Sequence, residues 1–440
     1  FWLKAFVFLW SLRSAYMSAM MNASVRTVAR LARPTSSVNW IRAAGVGARK
    51  FAAAAGLKET LIHAEHEADG GVMVDFAGYS MPVQYKGAKN VHALSIIESV
   101  KWTRSSASLF DVSHMCSVRW TGKDAIAFVE RVTTADVQAF PSMKGGLSTI
   151  LNERGGIIDD TMLTKCHSEE HGDHIYQVIN AGCAPKDIAH FEKELAKFGG
   201  DVKMDVLWDS RGLYALQGPK AVDVIKRLSP STDLSGVSFG QCLWAPLEGV
   251  NCLLWRCGYT GEDGFEIFVP GEQAASLWRT LRDQPEVRLA ALGARDALRL
   301  EAGLCLYGHD IDEDTTPPEA GLTWVIGKGR RDVNAKNPFI GSERVLSQIN
   351  NKKLYTRLRA GMFTKGPPAR EGAIVETVDG QKVGVVTSGT MSPCLKRNVS
   401  IAMIDKPFNK KGTELKVVVR GKKYDAQVTG MPFVPTNYVK

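Results

Sequence analysis

The sequence predicts an α+β protein of several domains. Three observations carry this: a strand–glycine–helix unit occurs twice, strands and turns alone close the chain, and 440 residues exceed one small core. The repeat lies at residues 121–132 and 217–228, which share Gly, Ala, Arg and apolar positions in register. Each follows a short apolar run, at 116–120 and 212–216. Ala125, Val129 and Val132 fall at i, i+4, i+7 on one helix face, as do Ala221, Ile225 and Leu228. Two related α+β domains follow from this repetition. Further helices are expected at 274–283 and at 294–303, the second closed by Gly303. Residues 176–179 and 265–269 read as strands. After about residue 345 the expected pattern is all-β. One hairpin joins 373–378 to 382–387 through Asp379-Gly380, a type I′ signal, and another joins 414–419 to 423–429 through Arg420-Gly421. The boundary of this last domain is placed in the polar, basic stretch 328–353.

Composition narrows the function classes. The formal charge is +9, but nine of the 55 Lys and Arg lie in residues 1–58, where no Asp or Glu occurs; the rest equal the 46 acidic residues. The body is formally neutral and lacks the basic footprint of nucleic-acid binding. The leader is Arg-, Ser- and Ala-rich and free of acids, as mitochondrial transit peptides are. Arg26, Arg30 and Arg33 sit at helical spacing, with processing expected near Arg49, Lys50 and Phe51, within a transit peptide spanning 1–50. Met17, Met20 and Met21 are the expected starts. A membrane anchor at 1–10 is the weaker reading, because Lys4 interrupts a run well short of the ~20 residues a span needs. Eight cysteines without a C-x-x-C pair imply neither a zinc ribbon nor a disulfide framework, so reduced, buried thiols are expected.

Several motifs admit two readings. Gly258-Tyr259-Thr260-Gly261-Glu262-Asp263-Gly264 resembles a phosphate loop, yet a strand follows where a helix N-terminus should stand. A turn between strands explains its glycines, but not the cluster of Tyr259, Glu262, Asp263 and Glu266. Alternation points Glu266 away from the face of Phe265 and Ile267, and a carboxylate there needs a donor. Asp111, Ser113 and His114 fall within one turn. No triad follows, and a turn in which Asp111 bonds nearby amides remains the alternative. Cys166, His167, His171 and His174 look metal-like but lie in a polar hairpin loop, so no metal is expected. His63 and His66, on a charged helical stretch, are expected at the surface. Asp159 and Asp160 follow Gly155-Gly156 and read as a turn entering a strand. Lys328, Gly329, Arg330 and Arg331 read as a solvated linker, with docking of an acidic partner as the sharper option.

Taken together, residues 73–85, 108–115, 179–182, 256–267, 294–310, 387–393 and 431–438 resemble the glycine cleavage T-protein family, with coverage of about 57–440. The resemblance implies a three-domain cloverleaf. Its parts would be two ferredoxin-like, partly discontinuous α+β domains (57–112 with 203–311, which would bind folate, and 113–202 with 312–345) and a C-terminal barrel-like domain at 346–440. It implies transfer of a methylene carbon from the aminomethylated lipoyl arm of the H-protein to tetrahydrofolate, with release of ammonia, by a chain that is monomeric in isolation and sits in the mitochondrial matrix. Asp111 matches the family's catalytic Asp, an ionised carboxylate able to accept the folate amine's proton and stabilise developing cationic charge. Glu266 matches the pterin-binding Glu, since a carboxylate can accept an adjacent N–H and NH2 in parallel. Tyr259, Asn180, Met115, Arg295 and Tyr438 match other folate-binding positions. For Arg295, an ion pair with Asp296 or Asp310 is an equally acceptable reading of the residues. The rival functions are a folate-dependent demethylase of a small methylated donor and a non-catalytic folate-binding protein. The second lacks support here, because its Lys-Gly-Cys motif is replaced by Ala302-Gly303-Leu304-Cys305.

Overall fold

The computed structural model describes residues 56–87 and 92–440; the leader, with its expected transit helix and processing site, lies outside the described residues. Both repeats take the expected form. The strand Cys116–Thr121 turns at Gly122 into the helix Ala125–Val132, and the strand Arg211–Gln217 turns at Gly218 into the helix Ala221–Leu228. Gly218 is required here: its φ is +129°, and a Cβ would fall 2.2 Å from the Ser106 carbonyl oxygen. Both helices bury the faces named above.

Each repeat belongs to its own sheet. The first sheet runs, in spatial order, Cys242–Leu247, Val250–Trp255, Gly264–Pro270, Arg211–Gln217, Ala107–Asp111 and Val287–Leu289, antiparallel except for the last pair. The second runs Lys144–Leu151, Ile157–Ser168, Gly172–Ile179, Cys116–Thr121 and Lys203–Val206, antiparallel throughout. Helices cover the outer faces. The inner faces share one apolar cluster, in which Phe110, Trp255 and Phe268 of the first sheet meet Tyr176 and Val178 of the second. The Tyr176 and Phe268 rings meet edge to face, 4.8 Å between centroids. Side chains of this size contribute roughly 1.5–3 kcal/mol each on burial, which makes the contact between sheets a core rather than a hinge. A closed six-stranded barrel formed by residues 357–429 completes an α+β fold with an all-β C-terminal domain.

Two boundaries and one turn differ from the sequence reading. Lys203–Val206, assigned with the 203–311 segment, pairs with Cys116–Thr121, so that junction falls after Val206. Residues 342–350 form a helix, not part of an all-β domain: Val345 and Leu346 bury against Leu151 and Ile157, and the barrel starts at Arg357. The polar residues of its outer face masked that short amphipathic pattern. The hairpin at Asp379-Gly380 closes through a wider turn in which only Gly380 has positive φ, whereas Arg420 (φ 52°) and Gly421 (φ 75°) make the two-residue turn with both residues positive.

The helix Leu292–Glu301, stopped at Gly303 (φ +71°), fastens the barrel to the two sheets. From this helix Arg299 donates to Asp310 at 2.7 Å and to the Ser388 hydroxyl of the barrel at 3.0 Å. Glu301 accepts from Ser392 at 2.5 Å and from Arg104 at 2.9 Å. Its carbonyl accepts the amides of Phe433 and Val434, which starts the C-terminal tail back toward the sheets.

Candidate active site between the sheets and the barrel

Glu266 lies on Gly264–Pro270 opposite Ala215 and Trp255, between Phe265 and Ile267, which face the other way into the first domain's own core. Its carboxyl is buried, and burial raises its pKa against the opposing pull of Arg295. Among the described residues no backbone amide, hydroxyl or cation donates to it; only the Cys257 thiol does. Arg295, from the helix Leu292–Glu301, lies over the Tyr259 ring, 4.7 Å from its centroid. Its Nη1 is buried without a hydrogen-bond partner, and it forms no ion pair among the described residues. The pairing with Asp296 and Asp310 that the residues allowed is made instead by Arg299. A buried acceptor that receives only a thiol and a buried donor without a partner therefore share one site. Unspent buried polar groups are costly unless something else meets them.

The second sheet brings a carboxylate pair to the same place. Asp159 and Asp160 lie inside the strand Ile157–Ser168 rather than in a turn. Asn180, at the end of the neighbouring strand, donates its backbone amide to Asp159 Oδ2 (2.9 Å) and its Nδ2 to Asp159 Oδ1 (2.8 Å) and Asp160 Oδ1 (3.1 Å). Asp159 is fully buried; Asp160 is half-buried, and after burial its charge helps to raise Tyr259 and Cys305. Burial, then the charge of Asp159, pushes Asp160 up to about 7. The Tyr259 hydroxyl donates to the Cys305 carbonyl, which leaves the ring face as what Tyr259 can offer.

Asp111 is placed differently from the expectation. Its side chain is fully buried, and its Oδ2 accepts from the Thr60 hydroxyl (2.8 Å) and from His66 Nε2 (2.9 Å). Its Oδ1 accepts the Ser113 amide at 2.9 Å, as the turn reading required. Although burial raises it, the bonds from His66 and Ser113 win and hold its pKa below the usual carboxylate range. This carboxylate is enclosed by protein donors and has no exposed face to turn toward a substrate. His66 is buried too, not exposed, because Ile62 and His66 share the inward face of a short helix. With Nε2–H directed at Asp111, its Nδ1 is left to accept the Tyr85 hydroxyl at 2.9 Å. Asp111→Asn should therefore lower the thermal midpoint, with a loss of about 2–3 kcal/mol in a denaturant titration at pH 7. Because the folded pKa is depressed, this contribution is present above about pH 4 and lost as the pH falls through the folded value, so mutant and wild type should converge in acid.

His114 does not face Ser113, which exchanges bonds with Leu213, so no triad exists. Its ring packs edge-on to Phe76, and burial lowers its pKa to about 4. Met115 packs on the apolar cluster shared by the two sheets. Tyr438 packs at a tilt against Phe239 (4.3 Å between centroids), and burial pushes it up to about 12, with Arg104 and Cys257 nearby. The tail is held there by Asn437, whose amide donates to Gly261 and whose Nδ2 donates to Glu262 at 2.8 Å. Residues 166–174 form a polar hairpin end, where His167 meets Asp173. Arg330 and Arg331 are hydrogen-bonded within the chain, to Glu130 and to the carbonyls of Thr323 and Ile326.

Two sheets that share a core, with a barrel fastened to them through the helix that carries Arg295, define a class. Residues 62–330 match the model of the GCVT N-terminal domain, and residues 357–435 match the glycine cleavage T-protein C-terminal barrel domain. The chain belongs to the glycine cleavage T-protein family. Mitochondrial aminomethyltransferase of Solanum tuberosum is 48% identical over 400 residues, covering 90% of this chain and 94% of that protein. The Saccharomyces cerevisiae protein of the same name is 45% identical over 397 residues, covering 87% and 96%. The crystal structure of glycine cleavage system aminomethyltransferase T from Bartonella henselae superposes with a TM-score of 0.78 at 35% identity, covering 87% of this chain and all of that one. The activity is accordingly that of an aminomethyltransferase, and the localisation is mitochondrial.

Proposed function

We propose that the chain works in the mitochondrial matrix, moving the methylene carbon of an aminomethyl group on the lipoyl arm of the H-protein to tetrahydrofolate. Ammonia leaves, and 5,10-methylenetetrahydrofolate and reduced lipoyl result. One observation carries this reading: a buried carboxylate and a buried guanidinium, Glu266 and Arg295, keep hydrogen-bonding capacity unspent beside the half-buried Asp160. That donor and acceptor set suits a reduced folate, whose pterin ring offers an N–H beside an NH2 to a carboxylate and a carbonyl oxygen to a guanidinium. When bound, tetrahydrofolate supplies the nitrogens that take up the carbon.

The remaining roles belong to this chain's residues. Glu266 accepts the paired N–H groups. Arg295 donates through Nη1 and is held over the Tyr259 ring. Asp160, once ionised, accepts the amine's proton and stabilises the cationic charge that grows as ammonia departs. Asn180 orients it. We assign this task to Asp160 in place of Asp111, because Asp160 alone of the two is partly open and poised to titrate near neutral pH. Tyr438, Met115 and the tail wall the site. Removal of residues 438–440 should weaken tetrahydrofolate binding about tenfold in a fluorescence titration, the equivalent of ~1.4 kcal/mol; an unchanged Kd would take Tyr438 out of the site. The reaction itself is tested by methylenetetrahydrofolate formation with and without aminomethylated H-protein. Dependence on that protein supports the reading, and equal turnover of a small methylated amine overturns it.

A further inference from the structure

Behind Asp160 lies a second carboxylate contact that the proposed reaction leaves unused. Asp187 stands in the first turn of the helix Ala184–Phe198 and is fully buried. Neither of its carboxyl oxygens has a donor among the described residues. Its partner is Asp159, with which it is in side-chain hydrogen-bonding contact. The cation next to Asp187 in sequence, Lys186, draws its pKa down from a distance but makes no hydrogen bond to it, donating instead to the Tyr307 hydroxyl at 2.5 Å and to Glu313 at 3.1 Å. The other titratable groups facing the pair are Asp160, the thiols of Cys183 and Cys116, and the Tyr307 phenol, and none of them brings a positive charge. Two buried carboxylates in contact, with no cation on either, cannot both be ionised at moderate cost. A proton between them turns the repulsion into a hydrogen bond.

We propose that Asp159 and Asp187 share one proton, and that Asp187 is a positioning residue which sets, through Asp159, the charge standing behind Asp160. The direction of the shifts agrees: burial and then Asp159 raise Asp187 to about 10, and burial raises Asp159 as well. Asp187 thus carries the proton and donates it to Asp159. Asp159 keeps its negative charge and uses it to hold Asn180 on one side and to raise Asp160 on the other. This inference rests on the assignment of Asp160 above, and its test has one arm that does not.

The first arm is thermal unfolding of wild type and Asp187→Asn between pH 5 and 9. A group whose folded pKa is raised contributes stability below its unfolded value, near 4, and loses it as the pH climbs toward about 10. Asn keeps the donor and has nothing to titrate. Its midpoint should therefore equal or exceed that of wild type, by a margin that grows with pH; a margin that shrinks with pH overturns the shared proton. The second arm is the kcat profile against pH. Asp187→Asn, the conservative variant, should rescue both the rate, within about threefold, and the position of the acid limb. Asp187→Ala leaves Asp159 without its donor, so Asp159 takes the proton itself and Asp160 ionises more readily. The limb should move down by about half a unit or more and kcat should fall roughly tenfold, with KM for tetrahydrofolate unchanged. Equal damage from both variants, or an unmoved limb in Asp187→Ala, overturns the positioning role. The melts do not involve turnover, so a failed Asp160 assignment would appear separately, as an acid limb that survives Asp160→Asn.

Discussion

Asp160→Asn is expected to lower single-turnover ammonia release from aminomethylated H-protein by roughly 10²–10⁴, the usual worth of a positioned general base. Tetrahydrofolate should still bind within a few-fold, because Asn keeps the size of the side chain and Glu266 and Arg295 are untouched. The sign of the accompanying pH effect follows from the environment of Asp160. Burial and the charge of Asp159 put its pKa at about 7, so the active, ionised form accumulates as the pH rises through neutrality. Wild-type turnover should climb through that range, and the variant should have lost the limb. Stability runs the other way. A raised carboxyl destabilises the fold as it ionises, so Asp160→Asn should unfold at a temperature no lower than wild type at pH 8. A slow enzyme that is at least as stable separates loss of chemistry from loss of fold. Near-normal turnover in Asp160→Asn would remove the residue from the mechanism.

Glu266→Gln should act on binding instead. The carboxylate offers two acceptor oxygens in a buried place where only the Cys257 thiol now donates to it. An amide would keep one acceptor and turn an NH2 toward the donors of the pterin. Hydrogen bonds to a charged partner are worth about 1.5–3 kcal/mol each, and a buried donor set against a donor adds its own penalty. The dissociation constant for tetrahydrofolate should therefore rise about 100-fold or more, equivalent to ~3 kcal/mol. At saturating folate, kcat should change by only a few-fold, since Asp160 is left in place. A variant with unchanged Kd would show that Glu266 is a buried structural acid and that the pterin lies elsewhere.

The sequence made the scaffold legible because period and punctuation are local. The repeated apolar face, the glycine between strand and helix, and the Arg420-Gly421 turn all appear where the pattern placed them. Glu266 was legible for the same reason: strand alternation set it against its apolar neighbours, and the structure puts it on the inner face. What escaped was settled by contacts distant in sequence. His66 looked solvated among charged neighbours, yet it is buried by Tyr85 and Trp278 and by a carboxylate 45 residues away. The available signal was Ile62, four residues before it on the same face. Asp159 and Asp160 read as a turn because two glycines precede them. Two acids embedded in an apolar strand, with Ile157 and Ile158 before and Met162 and Leu163 after, were the stronger sign of a buried site. Asp111 had the right chemistry, but spacing along one chain could not reveal that Thr60, His66 and Ser113 enclose it. The helix Ser342–Asn350 shows its apolar face only against the partners it packs on, Leu151 and Ile157.

The most direct test is a crystal structure of the protein soaked with a stable reduced folate. The pterin should lie between the sheets and the barrel with its N–H and NH2 on Glu266, Arg295 donating to the ligand, and the Asp160 carboxylate facing the nitrogens that receive the carbon. Asp111 should remain enclosed by Thr60, His66 and Ser113. A folate bound with its nitrogens against Asp111, or Asp160 turned away from the ligand, would contradict the account.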